Sequence, residues 1–413
     1  MSLDSLSRSL QETQSTLNFF DHAYRELSHE AVLAYSFDAF NRRNDNNQDP
    51  SAAQFADEIL RRCFSRLDPP PNPAEVEAER QHAPKTESSL RPDFVVSVSR
   101  NGTTHHAVIE TKLSAAANED QLNKYHNLLQ TEHDETTLST VALYKSIPHF
   151  STIEFESVTP LTMDTIHECL DAANAKASSS WLIDQYHQWV KGQALRENLL
   201  SHPEFQEWYV TDGEDPPDEY EQYENVWPTH PNYRRRVHWH LLHRLAETLD
   251  KRNPHIKSEP NVGDDTAWVH LRLATLENSD SGGSLFYRLD TIGGGHEALD
   301  LRLYAGPKRG KDGDNKSAWI DLKKRMRASL RDYLAASDLG EQVDTPGRQK
   351  YRFEKSSKET SLCRMWLGNH EKGLTPSELT ELFPEIHAAA VAALQSDDEM
   401  TRLIGDGWDL PVR

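Results

Sequence analysis

An Asn-Gly dipeptide between two alternating apolar segments is the feature that most constrains how this chain can fold. Residues 93–99 (DFVVSVS) and 106–112 (HAVIETK) are rich in β-branched residues, and each predicts a β-strand. Asn101 and Gly102 lie between them, and this pair favours the type I′ turn of a two-residue hairpin loop, whose central residues take positive φ angles. The sequence therefore predicts an antiparallel hairpin here.

The predicted loop fixes which residues lie opposite each other on the two strands. Its register places Asp93 opposite Glu110, with Cβ atoms about 4.5–5.5 Å apart. Because side chains alternate along a strand, Lys112 lies on the same face as both acids. One hard divalent cation accepts two carboxylates at this separation; the alternative is an ordinary ion cluster at a strand end. The opposite face is apolar and carries Phe94, Val96, Val98, Ala107 and Ile109.

Periodicity on both sides of the hairpin indicates an α/β fold with two domains, the number that 413 residues favour. We expect a mixed sheet flanked by helices over residues 1–200, an acidic linker region over 201–228, and an α+β domain over 229–413.

The expected elements follow from the spacing of apolar residues. In the first domain, we expect helices within 4–44 and over 51–67, 118–131, 163–175 and 179–194, and further strands over 140–146 and 152–158. Residues 68–90 are rich in Pro, Glu and Ser and are interpreted as an exposed connection. In the second domain, we expect helices over 232–251, 316–336 and 375–396, and strands over 267–275, 285–291 and 298–304.

The overall charge limits the classes of partner. A net charge of -21 argues against a protein that coats nucleic acid by bulk electrostatics, but it is compatible with an enzyme that has a local basic surface. No stretch approaches the ~20 apolar residues that span a bilayer, and the N-terminus lacks the pattern of a secretory signal. We therefore expect a cytoplasmic protein that does not bind membranes. Three well-separated cysteines indicate neither a disulfide framework nor a structural zinc site.

One segment of the second domain contrasts with this acidity. Residues 308–331 contain nine Lys and Arg against three Asp, a concentration of positive charge that is typical of a phosphate-backbone surface. The alternative is a charged helix face in solvent. The candidate nucleic-acid-binding residues are Lys308, Arg309, Lys311, Lys323, Lys324, Arg325 and Arg327.

A group of histidines in the second domain has the spacing of metal ligands. His240, His243 and Glu247 lie near one face of the predicted helix over 232–251. No cysteine or clear set of carboxylates completes a site, so we do not predict zinc there.

The hairpin and its flanking segments resemble the PD-(D/E)XK nuclease superfamily. The resemblance covers about residues 15–195 and implies a restriction-endonuclease-like core. Its motifs are Pro92-Asp93, Glu110-Thr111-Lys112 and Gln121 followed by Tyr125. In one bacterial branch, a helix with a Glu and then a His precedes them, and here Glu26 and His29 match those two positions in YRELSHEAVLAYSF.

The resemblance implies a metal site. Asp93, Glu110 and the main-chain carbonyl of Thr111 would hold Mg²⁺, with Mn²⁺ as a substitute. Glu26 would reach the metal directly, through water, or by holding a second ion. The alternative for Glu26 is a solvated helix residue, and His29 is more often a packed helix histidine than a ligand.

The resemblance also implies catalytic roles and a function. Lys112 would orient or help deprotonate the attacking water, and Gln121 would lie beside it and position substrate or water; the alternative for Gln121 and Tyr125 is local packing. The expected activity is metal-dependent hydrolysis of DNA, in antiviral defence or DNA processing. An RNA-directed nuclease and a non-cleaving nucleic-acid-binding or sensor protein remain alternatives, and a homodimer or a partner protein stays open.

Overall fold

The computed structural model describes most of the chain. The described residues are 1–14, 18–22, 26–42, 49–65, 76–80, 92–112, 121, 124–125, 127, 139–145, 158–176, 180–211, 218–223, 234–251, 256–259, 268–276, 283–292, 296–304, 315–335, 343–344 and 359–411.

Contacts between Cα atoms divide the chain into two compact units. The first contains Met1–Pro148 and Ile153–Leu199, and the second contains Leu200–Arg413. Among the described helices, none combines the length and the apolar composition needed to cross a membrane. The mixed α/β architecture expected from the sequence is confirmed.

The first unit is built on a five-stranded mixed sheet. Its strands are β1 (Val76–Arg80), β2 (Phe94–Arg100), β3 (Thr103–Lys112), β4 (Ser139–Lys145) and β5 (Val158–Leu161), and this is also their order in the sheet. The first three strands are antiparallel, whereas β4 is parallel to both β3 and β5.

Helices of the first unit precede and follow the sheet in sequence. They are α1 (Leu3–Gln14), α2 (Phe19–His22), α3 (Glu26–Asn41), α4 (Pro50–Cys63), α5 (Met163–Lys176) and α6 (Trp181–Ser201). Asp49 caps α4: its carboxylate accepts a hydrogen bond from the backbone amide of Ala52, and Pro50 follows at the first helical position, where a backbone N–H has no helical partner.

The predicted register of the hairpin is confirmed. Arg100 pairs with Thr103 and Phe94 with Ile109, so the two strands are joined by a two-residue loop. Asn101 and Gly102 have φ angles of 52° and 82°, the positive values that the type I′ turn requires.

The apolar face of the hairpin forms the centre of the first core. Phe94, Val96 and Val98 on β2 are buried together with Ala107 and Ile109 on β3. They pack against apolar side chains of the surrounding helices, including Phe37, Phe40, Phe55, Ile59, Ile166 and Leu170. The alternation of side chains thus leaves the other face of the hairpin for polar groups.

Strand β1 corrects the expectation that residues 68–90 form an exposed connection. Val76 pairs with Val98 on β2, and Val76 is buried while Ala78 packs against the core. Glu77 is exposed between them. The alternating pattern of this strand is only five residues long. The Pro and Glu residues around it made the whole segment resemble an exposed connection.

Two further expectations fall largely outside the described residues. The strand expected over 152–158 lies outside them except for Val158, which begins β5. Of the helix expected over 118–131, only Gln121, Lys124, Tyr125 and Asn127 are described, and all four are helical.

The second unit is built on a six-stranded antiparallel sheet with the order β10-β11-β9-β8-β7-β6. Its strands are β6 (Ile256–Glu259), β7 (Trp268–Leu276), β8 (Gly283–Ile292), β9 (His296–Tyr304), β10 (Val343–Asp344) and β11 (Glu359–Trp366). Its helices are α7 (Pro203–Thr211), α8 (Arg234–Glu247), α9 (Asn315–Ala335), α10 (Pro376–Gln395) and α11 (Asp398–Ile404), with a 3-10 helix at Asp218–Tyr223.

The expected linker region over 201–228 instead begins with a packed helix. Phe205 and Trp208 of α7 are buried. Gln206 Oε1 accepts a hydrogen bond from Arg244 of α8. The acidic stretch that predicts the linker begins at Thr211, where this helix ends. Because residues 212–217 and 224–228 lie outside the described part of the chain, the linker stays a prediction there.

One face of the second sheet is apolar and the other is charged. Leu299, Leu301 and Leu303 alternate along β9 toward the core that α8, α9 and α10 cover. On the opposite face, the Asp300 carboxylate is fully buried and binds the guanidinium group of Arg364 through two hydrogen bonds. Burial in this bidentate pair gives the charged face a fixed geometry.

Helix α3 packs against α6 through a buried histidine. His29 contacts the rings of Phe20, Tyr186 and Trp189, with centroid distances of 5.6, 5.6 and 4.4 Å. Neither ring nitrogen has a hydrogen-bond partner among the described residues. Burial lowers the pKa of His29 from 6.5 to about 3, so this side chain is neutral and acts as an aromatic packing residue.

Replacing Gly102 should weaken the hairpin. Gly102→Ala is expected to lower the free energy of unfolding by about 1–2 kcal/mol, because an L-residue is strained in the left-handed region. An added Cβ atom would meet nothing within 4 Å, so the loss would be conformational and not steric. Urea unfolding followed by circular dichroism measures the change. Asn101→Gly is the matched control, and an equal effect of both variants would contradict the prediction.

His29 should make the protein sensitive to acid. The unfolded chain takes up a proton at this side chain near pH 6.5, whereas the folded protein does so only near pH 3. The free energy of unfolding should therefore fall as the pH drops through this window, by up to about 1.4 kcal/mol per pH unit. In His29→Phe, this slope should be shallower in urea unfolding measured between pH 7 and pH 4.

A polar substitution controls for packing at this position. His29→Gln also lacks the titrating group, so its slope should match that of His29→Phe although its stability at pH 7 is lower. A wild-type slope in both variants would show that His29 is not the group responsible.

Candidate active site

The carboxylate of Asp93 is held in place at the start of β2. Its Oδ2 atom accepts a hydrogen bond of 2.7 Å from the backbone amide of Thr111 and one of 2.6 Å from the hydroxyl of the same residue. Thr111 is fully buried on β3, the strand that pairs with β2. The hairpin register therefore brings the acid and its two donors together, and both bonds fix the rotamer of Asp93.

A second carboxylate reaches the same threonine from α3. Glu30 is 4% exposed, and its Oε1 atom lies 3.4 Å from the Thr111 hydroxyl oxygen. The Asp93 oxygen is nearer to that hydroxyl, so the single hydroxyl proton is directed to Asp93. The Thr111 hydroxyl thus lies between two acidic side chains.

Glu30 is a residue that the sequence analysis missed. The resemblance pointed to Glu26, one helical turn earlier, and the side chain of Glu26 lies outside the description. Residues four apart share one face of a helix, so this spacing is the signal by which Glu30 could have been found.

Glu110 lies in a buried hydrogen-bond group of its own. The side-chain amide of Gln121 donates to Glu110 Oε1 at 2.9 Å and to the Tyr125 hydroxyl at 2.7 Å. Glu110 and Tyr125 are 2% and 1% exposed. The structure therefore brings Gln121 to the acid, whereas the sequence analysis expected it beside Lys112, whose side chain lies outside the description.

The electrostatic environment keeps Tyr125 protonated. Burial, followed by the negative charge of Glu110, raises the pKa of the Tyr125 phenol well above its ordinary value, and the charge of Asp93 adds to this shift. A protonated phenol can donate to the Glu110 carboxylate. The contribution of Asp93 also means that its charge acts on the group formed by Glu110, Gln121 and Tyr125.

The donor set of this site suits a hard divalent cation. Carboxylates and main-chain carbonyls are the oxygen ligands that magnesium and calcium prefer. Burying acids such as Glu110 and Glu30 is unfavourable unless hydrogen bonds or positive charge compensate, and a cation supplies such charge. The residues present therefore fit a hard divalent cation.

The basic segment over 308–331 is partly described. Three of its candidate residues lie outside the described part: Lys308, Arg309 and Lys311. On α9, Lys323 is buried, whereas Lys324 is exposed and approaches Asp321 Oδ1 at 3.5 Å.

Two candidate arginines on α9, Arg325 and Arg327, are engaged by groups of the second unit. Arg325 lies 3.1 Å from Asp397 and 2.7 Å from Glu399. Arg327 donates a hydrogen bond of 2.8 Å to the carbonyl oxygen of Ser361, and burial lowers the pKa of its guanidinium group. Much of the positive charge counted in the sequence is thus neutralised or buried, and the role of this segment in binding nucleic acid stays a prediction.

The histidines of α8 do not form a metal site with their neighbours in the part of the chain that is described. Burial lowers the pKa of His240 to about 3, and His243 Nδ1 lies 3.3 Å from Glu247 Oε1.

Comparison with known families agrees with this geometry. Residues 15–191 match the family model of the PD-(D/E)XK nuclease superfamily, and the matched segment contains α3, the hairpin and α5. Neither the comparison with curated proteins nor that with solved structures found a match. On the strength of the family match, the segment from residue 15 to residue 191 belongs to the PD-(D/E)XK nuclease superfamily.

Proposed function

We propose that this protein is a Mg²⁺-dependent nuclease that hydrolyses phosphodiester bonds of DNA, with Mn²⁺ able to replace Mg²⁺. The metal would be held by Asp93, Glu110 and the main-chain carbonyl of Thr111. The observation that carries the proposal is the carboxylate of Asp93, fixed by the amide and hydroxyl of Thr111, which follows the buried Glu110 on β3. Together with burial, the charges of Glu110 and Asp93 both raise the pKa of Tyr125.

The residues of the chain divide the chemistry of hydrolysis between them. When bound, the cation lowers the pKa of coordinated water and offsets negative charge on the phosphoryl oxygens. Lys112 orients or helps deprotonate the water that attacks phosphorus, and its ammonium group stabilises the charge that develops as the P–O bond breaks. Asp93 and Glu110 supply the negative charge that binds the cation.

The remaining polar residues of the site act by positioning. Thr111 fixes Asp93, and Glu30 contacts Thr111 from α3. Gln121 orients Glu110 by donating a hydrogen bond to its carboxylate, and the same amide group donates to the hydroxyl of Tyr125. Preorganised ligands of this kind avoid the cost of ordering the site at the moment of reaction.

The substrate and the biological setting are inferred from the family and from the sequence. The choice of DNA and a role in antiviral defence or DNA processing rest on the superfamily alone. A cytoplasmic location rests on the sequence, and action as a homodimer or with a partner protein is left open. RNA cleavage and binding without cleavage are the alternatives that the following experiment separates.

Substitution of the proposed catalytic residues should abolish cleavage. Asp93→Asn and Lys112→Ala are each expected to lower the rate by at least about 100-fold, the usual effect of removing one group that stabilises the transition state. The assay would use supercoiled plasmid, linear duplex, single-stranded DNA and RNA, each with Mg²⁺, Mn²⁺ or EDTA. Wild-type rates in both variants would refute the site, and cleavage of RNA alone would replace DNA as substrate.

The two glutamates of α3, Glu26 and Glu30, should be tested separately in this assay. Glu30→Gln is expected to lower the rate about 10-fold or more, because a neutral amide at this position changes the hydrogen bonding around Thr111 and Asp93. Glu26→Gln is the matched variant on the same helix face, and it tests the role that the resemblance implies for Glu26. Unchanged rates in Glu30→Gln would assign that residue to folding alone.

The basic segment should be tested at the exposed Lys324 and at the three candidate residues that lie outside the described part of the chain. Combined replacement of Lys308, Arg309, Lys311 and Lys324 by Gln is expected to weaken DNA binding. The slope of log K against log salt concentration should fall by about one for each lost phosphate contact. Arg325→Gln is the control, because Asp397 and Glu399 already engage its side chain. Equal binding by the combined variant and the wild-type protein would make the segment ordinary surface.

A further inference from the structure

Three side chains of types that ligate metals lie close together on α5 and α6. None of them is a residue of the proposed nuclease site. His167 and Asp171 are one turn apart on α5, and His187 is on α6. One potential ligand atom from each of the three lies within 4.8 Å of the others. The closest pair is His187 Nε2 and Asp171 Oδ1 at 2.9 Å, and His167 Nδ1 lies 3.6 Å from Asp171 Oδ2.

The imidazole rings of His167 and His187 lie close to each other. Their centroids are 5.1 Å apart with an angle of 35° between the ring planes. The Nε2 atom of His167 is buried and has no hydrogen-bond partner among the described residues. Two histidines at this distance repel each other when both are protonated, whereas two neutral rings present lone pairs to a shared cation.

The charge state of His187 favours ligation. Burial, followed by the positive charge of His167, lowers the pKa of His187, and Asp171 acts in the opposite direction. A lowered pKa favours the neutral ring, and the neutral imidazole is the form that binds metals.

A fourth residue holds the other nitrogen of His187. The Asn174 side-chain amide lies 2.9 Å from His187 Nδ1. The nearest atom is the amide nitrogen Nδ2, which donates to Nδ1 and leaves the proton of a neutral ring on Nε2, facing Asp171. Turning the amide by 180° would present its oxygen, which would accept an Nδ1 proton and free the Nε2 lone pair for a cation. Such a partner on the second nitrogen is what histidine ligands of metals usually have.

We propose that His167, Asp171 and His187 form a second metal site, for a transition metal of the zinc class, with Asn174 orienting His187. Two imidazoles and one carboxylate suit Zn²⁺, whereas Mg²⁺ prefers oxygen ligands throughout. The cation takes the place of a proton between His187 and Asp171. Tetrahedral ligation with bonds of about 2.0–2.1 Å separates donor atoms by roughly 3.3 Å. The distance between His187 Nε2 and Asp171 Oδ1, 2.9 Å here, would therefore increase slightly on binding.

The site crosslinks two helices that are adjacent in sequence. Because His187 is on α6 and the other two ligands are on α5, a bound cation fixes these helices to each other. Metal that binds only the folded protein stabilises it. Binding therefore has a readout that does not depend on nuclease activity.

The test uses the full chain without an affinity tag. Zn²⁺ is titrated by calorimetry, Co²⁺ is followed by the visible absorption of its tetrahedral complexes, and the thermal midpoint is measured with and without Zn²⁺. We expect one equivalent of Zn²⁺ in an Asp93→Asn variant, which weakens the carboxylate site, and a thermal midpoint that rises with Zn²⁺. Both effects should vanish in His167→Gln and His187→Gln.

Two controls make the outcome decisive. Asn174→Ala should weaken Zn²⁺ binding by about 10–100-fold, as loss of the partner of a histidine ligand does, and His105→Gln, a histidine on β3 outside the group, should bind as the wild-type protein does. Midpoints measured in EDTA check that every variant is folded.

Three results would overturn the proposal. The first is a folded Asp93→Asn protein that binds no Zn²⁺, and the second is binding that persists in both histidine variants. The third is a Zn²⁺ effect on stability that is equal in His187→Gln and His105→Gln.

Discussion

The register of one β-hairpin is the constraint on which the rest of the first unit depends. The left-handed conformations of Asn101 and Gly102 set the pairing of β2 with β3. A slip by one residue would exchange the two faces of a strand, so that Ile109 would leave the core and Glu110 would enter it. The same two-residue loop therefore secures the hydrophobic core and the meeting of Asp93 with Thr111.

The parts of the fold that could be predicted are those recorded in local sequence. The hairpin register, the strands β7 to β9 and the long helices α5, α6 and α10 all follow from periodicity and turn residues. By contrast, β1 became visible only through its pairing with β2, and α7 through its buried side chains. Segments whose structure is decided by distant partners carry little local signal, so their composition does not predict them.

The residues of the candidate site also divide into those that local sequence predicts and those that depend on tertiary packing. Asp93, Glu110 and Gln121 follow from motif and register. For Glu30, the sequence offers only its four-residue spacing from Glu26, and its contact with Thr111 depends on the packing of α3 against the sheet. For the basic segment, the sequence overstates the positive charge that is available at the surface. A count of lysines and arginines does not show that Arg325 is paired with two acids or that Arg327 is half-buried. Charge in a sequence becomes surface potential only after pairing is known.

The chemistry of the two donor sets allows them to take different ions in one unit. Asp93 and Glu110 offer oxygen, which suits a cation that must be hydrated and reactive, whereas His167 and His187 offer nitrogen, which suits one that stays in place. The proposed second ion would also act on the first site through packing. Tyr186, next to His187 on α6, contacts His29, and His29 precedes Glu30 on α3. Fixing α6 therefore steadies the surface against which α3 rests, and with it the acid that contacts Thr111.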